Sequence, residues 1–361
     1  MKILHCINSP NIGGIERLVI ELAIEQKRQG IDVSILLNTE KGQYFEYLLT
    51  QNIPILESGI KGGLDISVTT CKALRKKFNT FQIIHLHSFS PIRNMAAKVS
   101  KAKVVYTIHG LSKDVRKENV VKYAFREAIK KRWLNKVDYF IANSESTLSK
   151  AKLHYGLEKT RHKAILNGIS IKSLSPTDLL DRETEFTIGM VSRFTPRKRI
   201  ERLLNAFDLF LKKGLNGRLI LVGDGINFND IKQQVELMNL EHVVDFVGYT
   251  NDVNGYYKQF HICVQPSDNE GFGLVAVEAY LHGLPMLAFN DSGGLMEVVA
   301  PLEPNNIVKN EVELAERLSY YFHNKQLIAD NSKSRIAYAT KNFCIERMER
   351  DYFEIYQELV K

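Results

Sequence analysis

The stretch that decides the fold is Pro266-Ser267-Asp268-Asn269-Glu270-Gly271-Phe272-Gly273-Leu274-Val275-Ala276-Val277-Glu278-Ala279. A short apolar run, His261–Val264, precedes it and reads as a β-strand ending near Val264. A helix begins near Gly273. Strand, glycine-bearing loop and helix form the repeating unit of a doubly wound α/β sheet, where ligands sit beyond the carboxyl ends of the strands. The N–H groups of Gly273, Leu274 and Val275, at the positive end of that helix, would point at a phosphate. Glu270 and Glu278 lie eight residues apart, one before the helix and one two turns into it, so they reach opposite ends of one ligand. Glu278 stands on an otherwise apolar helix (Leu274, Val275, Ala276, Val277, Ala279), where an unpaired carboxylate is unfavourable. A ribose diol suits it, because one carboxylate can accept from two hydroxyls.

The same alternation extends outward in both directions. Phe186–Val191, Arg218–Val222, Val243–Val247 and Pro285–Ala288 read as further strands of this unit, with helical stretches between them. Upstream, Ile3–Ile7, Asp32–Leu37, Ile83–Leu86, Val104–Ile108 and Tyr139–Ala142 alternate with helix-like Ile15–Gln29, Ile66–Phe78, Ile92–Val99 and Lys117–Leu134. Continuous apolar strands alternating with helices mean a parallel sheet covered on both faces. Two successive Rossmann-like units are therefore expected, residues 1–170 and 171–342, joined by the polar, aperiodic segment 170–185 around Pro176. Phe343–Val360 carries Phe343, Met348, Tyr352, Ile355, Tyr356 and Leu359 at helical spacing and reads as one long amphipathic helix.

Length and composition fit this reading. The 361 residues suit two domains, and 44% hydrophobic with 25% charged residues is ordinary globular composition. Cys6, Cys71, Cys263 and Cys344 are far apart and include no C-x-x-C, so buried reduced thiols are expected. No run approaches the roughly 18–20 apolar residues of a membrane span, and the N-terminus lacks a leader pattern, so the expected location is the cytoplasm. Charge is uneven: residues 1–170 hold 28 Lys+Arg against 14 Asp+Glu, and residues 171–361 hold 21 against 27. Such asymmetry suggests that the first half faces something anionic. Nucleic acid is not expected, since no zinc, helix-turn-helix or RNP-like pattern occurs.

Three other loops after strands carry candidate chemistry. Gly13-Gly14 before the Ile15 helix lets backbone approach a ligand, and reads equally as a plain tight turn. His109, in Thr107-Ile108-His109-Gly110, could bond a substrate hydroxyl or move a proton, or could cap local backbone. His85 and His87 lie on one face of a strand end, two residues apart, and could in principle hold a metal with His109, but no carboxylate lies in the run and no metal is expected. Gly189–Arg199 packs Arg193, Arg197, Lys198 and Arg199 into seven residues at a strand end. Arg193 and Lys198 there can neutralise a diphosphate, Arg through forked hydrogen bonds and Lys as a point charge.

The run from Gly189 through Glu297 resembles the donor domain of retaining glycosyltransferases of family 4, the group 1 transferases of GT-B fold. The matching motifs are Gly223-Asp224-Gly225, Val247-Gly248-Tyr249, the E-x7-E of Glu270 and Glu278, and Ser292-Gly293-Gly294 with Glu297. Upstream, Gly13-Gly14-Ile15-Glu16, Thr107-Ile108-His109-Gly110 and Asn167-Gly168-Ile169 extend it over essentially the whole chain. The resemblance implies two Rossmann-like domains facing a central cleft, with the terminal helix (343–361) packing back on an acceptor-binding first domain. It implies a retaining hexosyltransferase using a nucleotide-diphosphate sugar, with UDP the expected nucleotide, and a glycan or lipid-linked acceptor in bacterial surface polysaccharide synthesis, capsule or lipopolysaccharide.

It further implies roles for single residues. Arg193 and Lys198 resemble the pair that stabilises the leaving diphosphate, Glu270 the carboxylate near the donor sugar, and Glu278 the ribose ligand. Gly14 resembles the glycine whose backbone meets the diphosphate, and His109 the contact to the donor sugar near the reacting centre. Gly223, Tyr249, Gly271, Phe272, Gly273, Leu274 and Val275 complete the implied donor site. No Asp-x-Asp occurs, so no metal or other cofactor is expected, and leaving-group charge falls to Arg193, Lys198 and the helix end.

A nucleotide-sugar epimerase or hydrolase of the same layout would instead consume donor without acceptor. A non-catalytic protein on anionic surfaces would keep its donor affinity when Arg193 or Glu278 is replaced. Lys113–Lys136 holds nine Lys/Arg against three Asp/Glu, with Val121, Phe125, Ile129 and Trp133 on one stripe. It reads either as a helix packing that stripe inward or as a basic amphipathic helix on anionic lipid at the inner membrane face.

Overall fold

The computed structural model describes residues 1–10, 13–39, 42, 44–60, 67–111, 120–171 and 185–361. The chain forms two compact units, Met1–Ser170 with Ile345–Lys361, and Ile171–Cys344. Most of the linker expected at 170–185 and the start of the helix expected at Lys117 lie outside the described residues, as do Asn11, Ile12 and Ile66.

The first unit is a seven-stranded sheet of β1 (Lys2–Cys6), β2 (Asp32–Leu37), β3 (Ile55–Glu57), β4 (Ile83–Leu86), β5 (Lys103–Ile108), β6 (Tyr139–Ala142) and β7 (His162–Ala164). Its order is β3-β2-β1-β4-β5-β6-β7, parallel throughout. The second unit has β8 (Thr187–Val191), β9 (Arg218–Val222), β10 (Val244–Gly248), β11 (Ile262–Gln265), β12 (Met286–Phe289) and β13 (Ile307–Val308), ordered β10-β9-β8-β11-β12-β13 and again parallel. These are the two doubly wound sheets that the alternating pattern predicts. In each, the strand order reverses beside the first strand, next to β4 in one and β11 in the other, which is where such folds bind ligands.

Strand interiors are Val-, Ile- and Leu-rich because both faces are covered. In the second unit Ile188, Met190, Leu219, Leu221, Ile262, Val264 and Leu287 pack with Leu203, Phe207 and Phe210 of helix Ile200–Lys212. In the first, Ile3, Ile83, Val105 and Ile141 are covered by Ile345, Met348, Tyr352, Ile355, Tyr356 and Leu359. Burying one such side chain is worth about 1.5–3 kcal/mol, so this terminal segment is part of the first unit's core.

Two features differ from the sequence expectation. The terminal helix does not begin at Phe343: helix Ser332–Phe343 ends there, Cys344 is extended (φ −76°, ψ 152°), and a new helix runs Ile345–Val360. Phe343 packs edge-on against Phe272 inside the second unit, at 5.7 Å between ring centres. The sequence reading also omits β3, β7 and β13, which are edge strands of two or three residues, too short for an apolar run.

Candidate functional site

In the second unit, two loops flank the sheet's reversal point. The first follows β8. Phe194 anchors it, its ring buried against Phe228 and Phe246, and the Phe194 N–H donates to Asp224 O at 2.9 Å. Gly223 has φ +126°, and a Cβ there would fall 1.9 Å from Ser192 O. A Cβ at Gly225 would fall 2.2 Å from Phe194 O. The Gly223-Asp224-Gly225 motif is thus required by the close passage of the 192–194 backbone. Past Phe194 the chain makes one 3-10 turn, Pro196–Lys198, which carries the cationic side chains.

The second loop follows β11 and is clamped by the turn after β12. Glu270 N–H donates to Ser292 O (3.0 Å), and Gly294 N–H donates to Glu270 O (2.9 Å). The Ser292 hydroxyl donates to Ser267 O at 2.9 Å. Gly293 adopts φ +66°, and a Cβ on it would meet Glu270 O at 2.8 Å. This clamp fixes the Glu270 backbone, and its side chain meets Lys198 Nζ at 2.5 Å, both groups largely buried. Burial alone would raise the Glu270 pKa. The Lys198 charge and hydrogen bond, the Ser267 hydroxyl and the Arg197 charge outweigh it and hold the carboxyl below its ordinary value.

The other cations differ in their commitments. Arg197 donates to Asn269 O, and Arg199 pairs with Glu201 and, at 3.6 Å, with Asp268. Arg193 is exposed, and its guanidinium has no ion-pair partner among the described residues. Arg202, which the sequence reading did not select, makes a forked pair with Asp291 (2.9 and 2.8 Å) and braces the turn after β12.

Helix Leu274–Leu281 starts from Gly273 at φ +92°, where a Cβ would come within 2.6 Å of the Leu295 side chain. The first N–H groups of any helix lack intrahelical acceptors, so Gly273, Leu274 and Val275 present donors beside Glu270. Glu278 is half-buried and accepts from the Tyr257 hydroxyl at 3.1 Å. Tyr257 in turn stacks on His282 at 4.7 Å. Tyr257 was not legible in the sequence: it comes from a separate five-residue helix, Val253–Tyr257, and no spacing rule ties it to Glu278. Tyr249 is 56% exposed, with its hydroxyl on Asn251 Oδ1 at 2.8 Å. Phe272, an expected donor contact, is 2% exposed, so its ring is core and only its backbone is left to face a ligand.

In the first unit, Gly14 opens helix Gly14–Arg28, with Gly13 at its N-cap in extended conformation. His109 follows β5, and its carbonyl accepts from Asn143 Nδ2 at 3.0 Å. It belongs to a cluster with His5, His85 and His87; His5, from β1, was not anticipated, although a polar residue inside the apolar run of β1 was the available signal. His5, His85 and His87 bring ring nitrogens within 4.8 Å of one another. Their six nitrogens are all engaged by Gln26, Tyr356, Thr107, His109 or each other. Burial lowers every pKa in the cluster, to about 4 for His5 and His109 and well below 6.5 for His85 and His87, so the rings are neutral near pH 7.

The basic segment forms helix Val120–Leu134. Leu134 is buried and Tyr155 donates to Glu127 at 2.9 Å. Its expected stripe is not packed inward throughout: Phe125 is 68% exposed, and Ile129 and Trp133 are half-buried. Among the described residues, no helix is long and apolar enough to cross a membrane.

Comparison with known proteins agrees with this architecture. Residues 173–343 match the family model "Glycosyl transferases group 1", and residues 12–173 match "Glycosyltransferase Family 4". An uncharacterized glycosyltransferase of Haemophilus influenzae is 29% identical over 57% of this chain and 59% of its own length. The Escherichia coli UDP-Gal:alpha-D-GlcNAc-diphosphoundecaprenol alpha-1,3-galactosyltransferase is 24% identical over 87% of this chain and 83% of its own. The crystal structure of Anabaena HepE in complex with UDP superposes with a TM-score of 0.81 at 22% identity, covering 99% of this chain and all of that one. The chain belongs to the family 4, group 1 glycosyltransferases and has their GT-B architecture of two Rossmann-like sheets.

Proposed function

We propose that this glycosyltransferase is a retaining, metal-independent hexosyltransferase that moves a sugar from a UDP-sugar to a glycan or lipid-linked acceptor during surface polysaccharide assembly. The observation that carries this reading is the Lys198–Glu270 pair at the mouth of the helix that starts at Gly273. Without donor, each group neutralises the other. A donor offers each a better partner, its diphosphate to Lys198 and its sugar hydroxyls to Glu270. As the bond from the anomeric carbon to the phosphate oxygen breaks, charge grows on the departing diphosphate. Lys198, Arg193 and the helix N-terminus are the groups available to stabilise it, in the role a divalent metal fills elsewhere. Glu278 would take the ribose diol, oriented by the Tyr257 hydroxyl. The acceptor hydroxyl then attacks from the face the diphosphate leaves, forming the new glycosidic bond and passing its proton to the departing phosphate oxygen, so the anomeric configuration is kept.

UDP is favoured because the Escherichia coli relative is named for UDP-Gal and HepE was solved with UDP. A lipid-linked acceptor is favoured by that relative's diphosphoundecaprenol-linked substrate and by the exposed Phe125 on a basic helix. That helix would rest on anionic lipid as a peripheral contact.

A panel of nucleotide sugars, screened for protection against thermal unfolding, tests the donor. A ligand at a hundredfold excess over Kd stabilises by about 2.7 kcal/mol. Turnover of the protective sugar in excess chelator, with the product anomer read by NMR, tests the rest. Protection by no UDP-sugar, loss of activity on chelation, or an inverted product would each refute the corresponding part. Flotation with anionic and with neutral liposomes decides the membrane contact, and equal binding to both rejects it.

A further inference from the structure

A row of imidazoles in the first unit ends on an atom that has no partner. Gln26 Oε1 lies 2.8 Å from His5 Nε2, His5 Nδ1 lies 2.9 Å from His87 Nε2, and His87 Nδ1 lies 3.2 Å from His109 Nε2. A neutral imidazole has one N–H and one lone pair, so a fixed orientation at one end sets every ring in such a row. The Gln26 amide oxygen can only accept. His5 therefore carries its proton on Nε2 and accepts at Nδ1. His87 must then donate from Nε2 and accept at Nδ1, and His109 must donate from Nε2. The His109 Nδ1 is left as a lone pair, buried and without a hydrogen-bond partner among the described residues. His85 holds the row in place: it packs on His87 at 3.9 Å and is itself fixed by the Tyr356 and Thr107 hydroxyls. A buried acceptor left without a donor is unfavourable, and this one sits just beyond the carboxyl end of β5, where open parallel sheets bind ligands.

We propose that Gln26, His5 and His87 are positioning residues that lock His109, for which the family resemblance implies a contact with the donor sugar, in its Nε2–H tautomer, so that Nδ1 is held as a hydrogen-bond acceptor for a sugar hydroxyl. The substrate half of this statement rests on the sugar-transfer reading above; the tautomer half does not. In this arrangement His109 accepts a hydrogen bond and neither gives nor takes a proton. The lock also accounts for three histidines standing in one row, His5, His87 and His109: each ring passes the polarity set by Gln26 to the next, and His85 braces the row from the side.

The test is long-range 1H–15N correlation NMR on the full chain labelled with 15N-histidine at pH 7, with His109 identified by its loss in His109→Ala. The expected result is Nε2 protonated and Nδ1 bare in the wild type. Gln26→Leu and His87→Leu break the row, and His109 should pass to a mixture of tautomers. His87→Gln offers one acceptor and one donor in the same order and should restore the lock. A wild-type His109 protonated on Nδ1, or a tautomer unmoved in both Leu variants, overturns the proposal and leaves the assignment of the transferase untouched. Titration with UDP, UDP-glucose and UDP-galactose reads the substrate half. Both Leu variants should lose about tenfold in affinity for the sugar nucleotide that wild type prefers, the order of one hydrogen bond, with UDP affinity unchanged and His87→Gln close to wild type. Variants that bind sugar nucleotide and UDP as wild type does overturn the role toward substrate, whatever the tautomer.

Discussion

In the proposed reaction the chemistry turns on Lys198 and Glu270, and each predicts the behaviour of the other. Lys198→Ala should lower kcat by about 10²–10³ while donor KM changes less than about threefold, because the charge is needed most as the diphosphate departs. Steady-state kinetics at saturating acceptor checks this, and a change in KM alone contradicts it. The same variant removes the largest of the influences that hold the Glu270 carboxyl down, so burial should raise its pKa and move the acid limb of the pH–rate profile to higher pH. Tyr257→Phe removes one donor from Glu278 and should weaken UDP binding by about three- to tenfold, measured by calorimetry. Glu270, Glu278 and Lys198 were recognisable as candidates because they stand at fixed offsets from a strand end and a helix start. Tyr257, Ser267 and His5 were not, since each reaches its partner from an element whose distance along the chain carries no rule.

At the scale of the element, helix Ile345–Val360 is the informative case. Its amphipathic spacing was plain, but its beginning was not: Phe343 fits the same stripe, and only the extended Cys344 separates it. The helix carries a group that titrates near neutrality. Burial, with a contribution from the Glu25 charge, pushes the Glu349 carboxyl up to about 7. Between the ordinary value near 4.5 and about 7 the folded state holds a proton that the unfolded chain has released, so stability falls as pH rises through that window. Glu349→Gln should therefore stabilise the first unit by about 1 kcal/mol at pH 8, after allowance for solvent screening, and leave it unchanged near pH 4.5. Urea melts at the two pH values would show this difference, or its absence. The three missed strands share one cause: an edge strand needs neither length nor an apolar run on both faces, and those are the signals by which the inner strands are recognised.

For the whole molecule, the buried histidines make the first unit acid-sensitive. Their folded pKa values lie below the unfolded value of 6.5. Their stabilisation is thus fully present above about pH 6.5 and is lost as pH falls toward about 4, where the unfolded chain takes up protons the core cannot accept. Thermal unfolding followed at Trp133, the chain's one tryptophan, should lose stability steeply across that range. A flat profile there would mean the cluster is charged or open to water. Two parallel sheets, their helices and the glycine-bearing loops after the strands were determined by the sequence alone, because apolar runs, helical spacing and glycine–helix junctions are local properties of the chain. The partners were decided only by tertiary structure: Lys198 meets Glu270 across 72 residues and His5 meets His87 across 82. Such meetings depend on which strands lie side by side and in what register, His5 opposite His85 for example, and strand order is a property of the packed sheet that no local pattern encodes.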